Sequence, residues 1–167
     1  MIIMALDAAL RTGVAIGEAG QAPFLNCVDF NRPHDEHPDI FGRAIKWIAR
    51  TCVERTPALL VIEGIVPVHD KTIQSGLFAI FTGVANAKGI KVLVAPIQTW
   101  RAFVLGDGKL PKAKAKQRAV SVVHQLGWAE ADVDHNAAEA GCQWLWACSQ
   151  VEPKSVPRIP LFMRGAA

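Results

Sequence analysis

Apolar and polar positions follow two rhythms along this chain, and the change from one to the other assigns most elements. Residues 2–7, IIMALD, are an apolar run closed by a charge and predict a first strand. Residues 12–18, TGVAIGE, predict its hairpin partner, with Ala8 to Arg11 turning between them. Residues 24–30 predict a third strand, and the polar segment Asn31 to Pro38, with its two prolines, a loop. Helical spacing then begins. In IFGRAIKWIARTCVER, Ile40, Phe41, Ala44, Ile45, Ile48, Ala49 and Cys52 recur every three or four positions, and Pro57 stops the helix. ALLVIE (58–63) is continuously apolar up to its final charge, as a central strand buried on both faces should be. Residues 71–88 predict a second helix, rich in small side chains, and KVLVAP (91–96) another buried strand closed by Pro96. The stretch 97–112, with Gly106, Gly108 and Pro111, is expected to be irregular. A third helix should run from about Lys114 to Leu126, where Gly127 ends it, and a fourth from near Asp134 to about Ser149. The tail from Val151 has three prolines and no periodicity, and reads as extended or packed along the surface.

This order is three strands of antiparallel type, then helix, strand, helix, strand, helix, helix. It predicts an α/β domain over residues 1–150, a mixed sheet flanked by helices, followed by the tail 151–167. A chain of 167 residues, half of them apolar, suits one domain with its own core. No apolar stretch approaches the roughly 18 residues of a membrane helix. No basic segment precedes the first apolar run, so it reads as a strand and not as a signal peptide. Cys27, Cys52, Cys142 and Cys148 lack CxxC spacing and are expected to be reduced core residues of a cytoplasmic protein, with no structural zinc. The net charge of +3 permits nucleic-acid binding without demonstrating it. The distribution says more, because Lys109 to Arg118 concentrates positive charge in one segment.

Three acids occupy places where a stability argument would not put them. Asp7 ends the first strand, Glu63 ends the first buried central strand, and Glu139 lies in the first turns of an otherwise apolar helix, NAAEAGCQWLWA. A carboxylate at the end of a buried strand costs several kcal/mol if it is dry and unpaired. Each alone reads as a strand or helix end turned to water. All three together read better as clustered oxygen ligands for a hard divalent cation. Where such a cluster holds two divalent ions about 4 Å apart, they can activate a water and stabilise a leaving oxygen.

Around these acids the sequence resembles the RuvC-type Holliday-junction resolvases of the RNase H-like superfamily. LDAALRTGVAI resembles their first hairpin, in which an Asp is followed by a Thr-Gly pair, here Asp7, Thr12 and Gly13. VIEG resembles the second acidic strand end, at Glu63. APIQTWRAFVLGDG is similar to a segment of the phage and prophage branch, carried here by Trp100, Arg101, Leu105 and Gly106. DHNAAEA resembles the last acidic motif, which opens a helix. The resemblance spans roughly residues 2–148. It implies an RNase H-like sheet, paired nicking of four-way DNA junctions by a homodimer, and two Mg²⁺ ions per site, with Mn²⁺ as an alternative. It implies Asp7, Glu63, Asn136 and Glu139 as metal ligands. This chain departs from the bacterial pattern at two points: its last acid is Glu139 instead of Asp, and Asn136 stands where a second Asp is usual. Asn still offers an oxygen but no charge. Asp132, Asp134 or His135 could supply the missing ligand, since 132, 135, 136 and 139 share a helical face if the helix starts early. Asp134 is also a good N-cap. His135 reads equally as a metal ligand, as a proton-transfer group near the scissile phosphate, or as a solvated first-turn residue.

DNA-binding candidates are Lys109, Lys112, Lys114, Lys116 and Arg118, with Arg101. Cations at a helix N-terminus oppose its dipole, so a cluster there suggests a phosphate backbone as its partner. By resemblance Lys116 approaches the scissile phosphate and is the fourth catalytic candidate, with Lys114 second to it and Lys109 and Lys112 farther away. His69, Lys71 and Gln74 are candidates for contacts in and after the loop that follows Glu63. The small residues Ser75, Gly76, Ala79 and Gly83 suit a helix at a dimer interface. His34, Asp35, Glu36 and His37 form a metal-like cluster of the sort loops commonly carry. Trp144 and Trp146 read as core or interface. Two other readings share these residues: an RNase H-like nuclease acting on RNA or a DNA flap, and a non-catalytic nucleic-acid-binding module. The protein is expected in the cytoplasm of a bacterium, or of a host cell if phage-encoded.

Overall fold

In a computed structural model, which describes residues 1–64, 72–130 and 132–157, β1 (Ile2–Asp7), β2 (Arg11–Glu18) and β3 (Phe24–Asp29) form an antiparallel meander. The chain then crosses through α1 (His37–Arg55) to β4 (Leu59–Glu63), which pairs parallel with β1, and through α2 (Thr72–Ala87) to β5 (Lys91–Ala95), parallel with β4. Helices α3 (Ile97–Leu105), α4 (Lys112–Gln125) and α5 (His135–Val151) follow. The sheet order is β3-β2-β1-β4-β5, so the first strand is central.

Side-chain alternation divides the core between the two faces of this sheet. Ile3, Ala5, Leu59 and Val61 point to one side, where they pack with Trp100, Val104, Ala115, Val122 and the length of α5. Met4, Leu6, Leu60 and Ile62 point to the other, against Ile40, Ile48, Leu77 and Phe81 of α1 and α2. Helix α5 is buried on all sides from Asn136 to Cys148, because the sheet lies beneath it and α3 and α4 cover it. That explains its largely apolar and small composition, interrupted only by Asn136, Glu139 and Gln143 within the buried stretch.

Five expectations need correction. Strand β5 is not a buried strand: it lies at the sheet edge and is only partly buried, with Val94 exposed. Residues 97–105 are helical: Trp100 and Val104, four apart, bury themselves against the core, and Gly106 closes the helix in the left-handed conformation (φ 81°). Helix α1 starts at His37, because Pro38 occupies the first turn, where its missing N–H costs nothing. Helix α4 starts at Lys112, directly after Pro111. Cys27 is not a core residue; it is only partly buried, and its thiol donates to Asp134. The other three cysteines are buried, and all four are free. In the tail, Pro153–Ser155 form a single 3₁₀ turn. Among the described residues no helix is long and apolar enough to cross a membrane.

Candidate active site

Strand parity brings the acids together. Asp7 continues the series Ile3, Ala5, and Glu63 the series Leu59, Val61, so both face the α3–α5 side. The β1–β4 register runs to Leu6 opposite Ile62, which places the two carboxylates side by side, one residue further on. Glu139 comes down from α5, which can sit so close because β2 carries Gly13 opposite Asp7. A Cβ at Gly13 would lie 1.9 Å from the Asn136 carbonyl oxygen and 2.9 Å from the Ala137 nitrogen. Any side chain there would push the helix, and Glu139 with it, off the sheet. The buried Thr12 closes the preceding turn by donating its hydroxyl to the Ala9 carbonyl.

Asp7, Glu63, Asn136 and Glu139 line one cleft of about 770 Å³ together with Arg101, Lys112, Lys116 and Gln74. Burial pushes the Asp7 carboxyl up from 3.8 to about 8, helped by the charges of Glu139 and Glu63 and opposed by those of Lys116 and Lys112. Burial also raises Glu139; Arg101 draws it back and Glu63 pushes it further up. Both shifts have the same origin, negative charge gathered where water is scarce.

Glu63 and Glu139 each have a partner in the protein. Trp100 donates its indole N–H to Glu63 Oε2 at 3.0 Å. Arg101 pairs with Glu139 Oε1 at 3.3 Å, with only 14% of the arginine and 6% of the glutamate side chain exposed. The Asn136 amide is oriented at both ends: Nδ2 donates to the Arg11 carbonyl at 3.0 Å, and Oδ1 accepts from Lys116 Nζ at 3.2 Å. This all-oxygen set suits a hard divalent cation. Among the described residues no three His, Cys, Asp or Glu side chains stand ready to hold an ion as they are. A cation shared by Asp7, Glu63 and Glu139 would have to take over from Arg101 as the counter-charge of Glu139.

Other predicted residues lie elsewhere. The helix starts at His135, so Asp132 is not on it; Asp132 is exposed and lines a different depression, beside Phe24 and Trp128. Asp134 is the N-cap, accepting from the Asn136 N–H at 2.8 Å, and it also pairs with Arg11. His135 is exposed, near enough to influence Glu139 but outside the cleft lining. Lys112 lines the cleft with Lys116, one turn along the same helix face, whereas Lys114 points away; the order of proximity expected for Lys112 and Lys114 is therefore reversed. Lys109 and Arg118 are exposed and outside the cleft. His69 and Lys71 lie outside the described residues. In the loop cluster, Asp35 pairs with Arg43, and Asp39 caps Glu36, so these acids organise the start of α1. His37 instead lines the cleft, as do Arg11 and Thr72. Sequence reasoning assigned no cleft role to these three or to Trp100. The pairing of Trp100 with Arg101 in one motif was the available signal for the last.

No protein-family model matches the chain, and no curated protein sequence does. Solved structures match it. Thermus thermophilus RuvC aligns at 15% identity over 92% of this chain and 97% of its own, with a TM-score of 0.69. The same protein in complex with a Holliday junction substrate aligns at 14% identity over 95% and 99%, with a TM-score of 0.72. Fowlpox virus resolvase in complex with Holliday junction DNA aligns at 14% identity over 91% and 99%, with a TM-score of 0.62. Likeness at such low identity is a likeness of architecture, and this chain has the RNase H-like fold of the RuvC-type resolvases.

Proposed function

We propose that the protein is a metal-dependent endonuclease that cuts branched DNA, resolving four-way junctions. The observation that carries this reading is the convergence of Asp7, Glu63 and Glu139 in a cleft rimmed by Arg101, Lys112 and Lys116, in a fold shared with proteins solved on Holliday junction DNA. Asp7, Glu63, Glu139 and the Asn136 oxygen would hold two Mg²⁺ ions, or Mn²⁺. When bound, such ions supply an activated water and stabilise the leaving 3′ oxygen. The chain's own residues do the rest. Lys116 exchanges its contact with Asn136 for a non-bridging oxygen of the scissile phosphate, and Arg101 exchanges Glu139 for the same group. Lys112, with Lys109, Lys114 and Arg118 beyond it, draws the backbone in.

One cleft makes one cut, so symmetric resolution calls for a homodimer. Gly76 is already occupied by its own chain, because a Cβ there would meet the Phe41 ring at 2.4 Å. Ser75, Ala79 and Gly83 remain exposed on α2 for a second copy. Four free cysteines fit a reducing compartment, the cytoplasm of a bacterium or of a phage-infected host. The test is Mg²⁺-dependent nicking of a four-way junction beside a flap, a linear duplex and an RNA–DNA hybrid. Preference for the junction supports the proposal. Preference for the flap or the hybrid gives the same acids another substrate. Binding without cutting makes the protein a recognition module.

A further inference from the structure

Two tryptophans are fully buried on the same face of the sheet, and they satisfy their indole N–H groups differently. Trp144 donates to the backbone carbonyl of Ile3 at 3.1 Å, an ordinary solution for a core indole. Trp100, also inaccessible to water, donates instead to the carboxylate of Glu63 at 3.0 Å. The next residue, Arg101, lies over the Trp100 ring, its guanidinium carbon 5.3 Å from the ring centroid, and reaches Glu139. One turn of α3 thus holds acids delivered by β4 and by α5.

From this we infer that Trp100 is a positioning residue for Glu63, holding that carboxylate in the orientation in which it ligates a divalent cation; the inference rests on the nuclease reading above. An indole is only a donor, so it engages Glu63 through an acceptor oxygen, the same kind of atom a cation would use. A carboxylate has lone pairs enough to keep this bond while the group binds an ion. Trp100 cannot drift, because its ring is locked into the core beside Val104 and Leu105. A carboxylate held from behind by a fixed donor loses less rotational freedom when it binds, and removing such an orienting partner typically weakens metal affinity about 10–100-fold.

The experiment uses the full chain and Mg²⁺, read by indole ¹H–¹⁵N signals, of which the five tryptophans provide one each. The signal lost in Trp100→Phe identifies Trp100. Phe preserves most of the ring packing, and an unmoved Trp144 signal certifies the core. We expect the Trp100 signal to shift on Mg²⁺ titration and in Glu63→Gln. We expect Trp100→Phe, followed by the remaining signals and by calorimetry, to need about 10–100-fold more Mg²⁺ for half-saturation. Glu63→Gln leaves the tryptophan in place, and backbone-linked resonance assignment identifies its indole independently, so the shift is readable even if Trp100→Phe folds poorly. Normal saturation of the wild type, with Trp100→Phe saturating at the same concentration, overturns this inference alone. So does a Trp100 signal indifferent to Glu63→Gln. A wild-type spectrum that Mg²⁺ does not move overturns the nuclease reading, and this inference with it.

Discussion

Asp7→Asn should make the metal-free protein more stable at pH 8, with a stability relative to wild type that rises as pH rises. Asp7 ionises at about 8 in the folded chain against 3.8 for an unperturbed group, first because it is buried and then because Glu139 and Glu63 face it. Below pH 3.8 the group is protonated in both the folded and the unfolded chain, so it costs nothing. Between 3.8 and 8 the unfolded chain releases a proton that the folded chain keeps, and stability falls as pH rises. At about 1.36 kcal/mol per pH unit, the accumulated cost reaches on the order of 5 kcal/mol by pH 8. Asn cannot ionise and escapes this cost, but its amide N–H₂ needs a partner in the cleft, which returns part of the gain. We expect a net stabilisation of about 2 kcal/mol at pH 8, roughly 4–8 °C in melting temperature for a domain of this size. At pH 4 the ionisation cost is gone and only the cost of the amide remains, so the sign should reverse and the variant should be the less stable protein. The assay is thermal or urea unfolding of both proteins in EDTA from pH 4 to 8. Adding Mg²⁺ at pH 8 should stabilise the wild type much more than the variant, since the cation displaces the proton and binds the anion. A variant less stable than wild type at pH 8, or a difference that does not move in the variant's favour as pH rises, would refute the reasoning.

Lys116→Ala should lower the single-turnover cleavage rate at saturating protein by about 10²–10³-fold, as loss of a donor at a developing oxyanion does. Arg118→Ala should leave that rate alone and reduce the slope of log K against log salt by about 0.9; equal effects of the two would make Lys116 one more backbone contact. Asp134→Ala should cost about 1 kcal/mol of stability at neutral pH through the lost helix cap. Burial works against the Asp134 charge, but the Asn136 N–H, the Cys27 thiol and Arg11 outweigh it and hold the carboxyl below its ordinary 3.8. Its contribution is therefore present above that value and lost as pH falls through the folded-state pKa, so urea unfolding at pH 7 and near pH 2 should show the difference from wild type shrinking in acid. Light scattering at micromolar concentration should report a dimer, and Ala79→Glu on the exposed face of α2 should dissociate it; a wild-type monomer, with or without junction DNA, would remove the homodimer from the account.

The central strands were legible because both faces of the sheet are covered there, so β1 and β4 read as apolar runs, and the acids stood out where those runs ended; β5 reads the same way in sequence, but as an edge strand it is only partly buried. Parity then carries Asp7 and Glu63 to the same face, which the sequence already encodes in the alternation of IIMALD and LLVIE. Helix α3 was obscured by the glycines and proline after it. It is nine residues long, too short for its own periodicity to outweigh them, and it is held by burial of Trp100 and Val104 against α5. The partners of the acids were not legible, since Trp100 and Glu63 are 37 positions apart and Arg11 and Asp134 123. Such pairs depend on where α3 and α5 dock on the sheet. Lys112 was misjudged for a related reason: only the true start of α4 shows which lysines share a face with Lys116.

The claim that the three acids hold metal for cutting and not for binding is tested most directly by Glu139→Gln and Glu63→Gln on one labelled four-way junction. Gel-shift affinity and Mg²⁺-dependent nicking are measured on the same preparations. The account predicts that both variants bind the junction within a few-fold of wild type and produce no nicks at any Mg²⁺ concentration that saturates the wild type. Nicking by Glu139→Gln at the wild-type rate would contradict it.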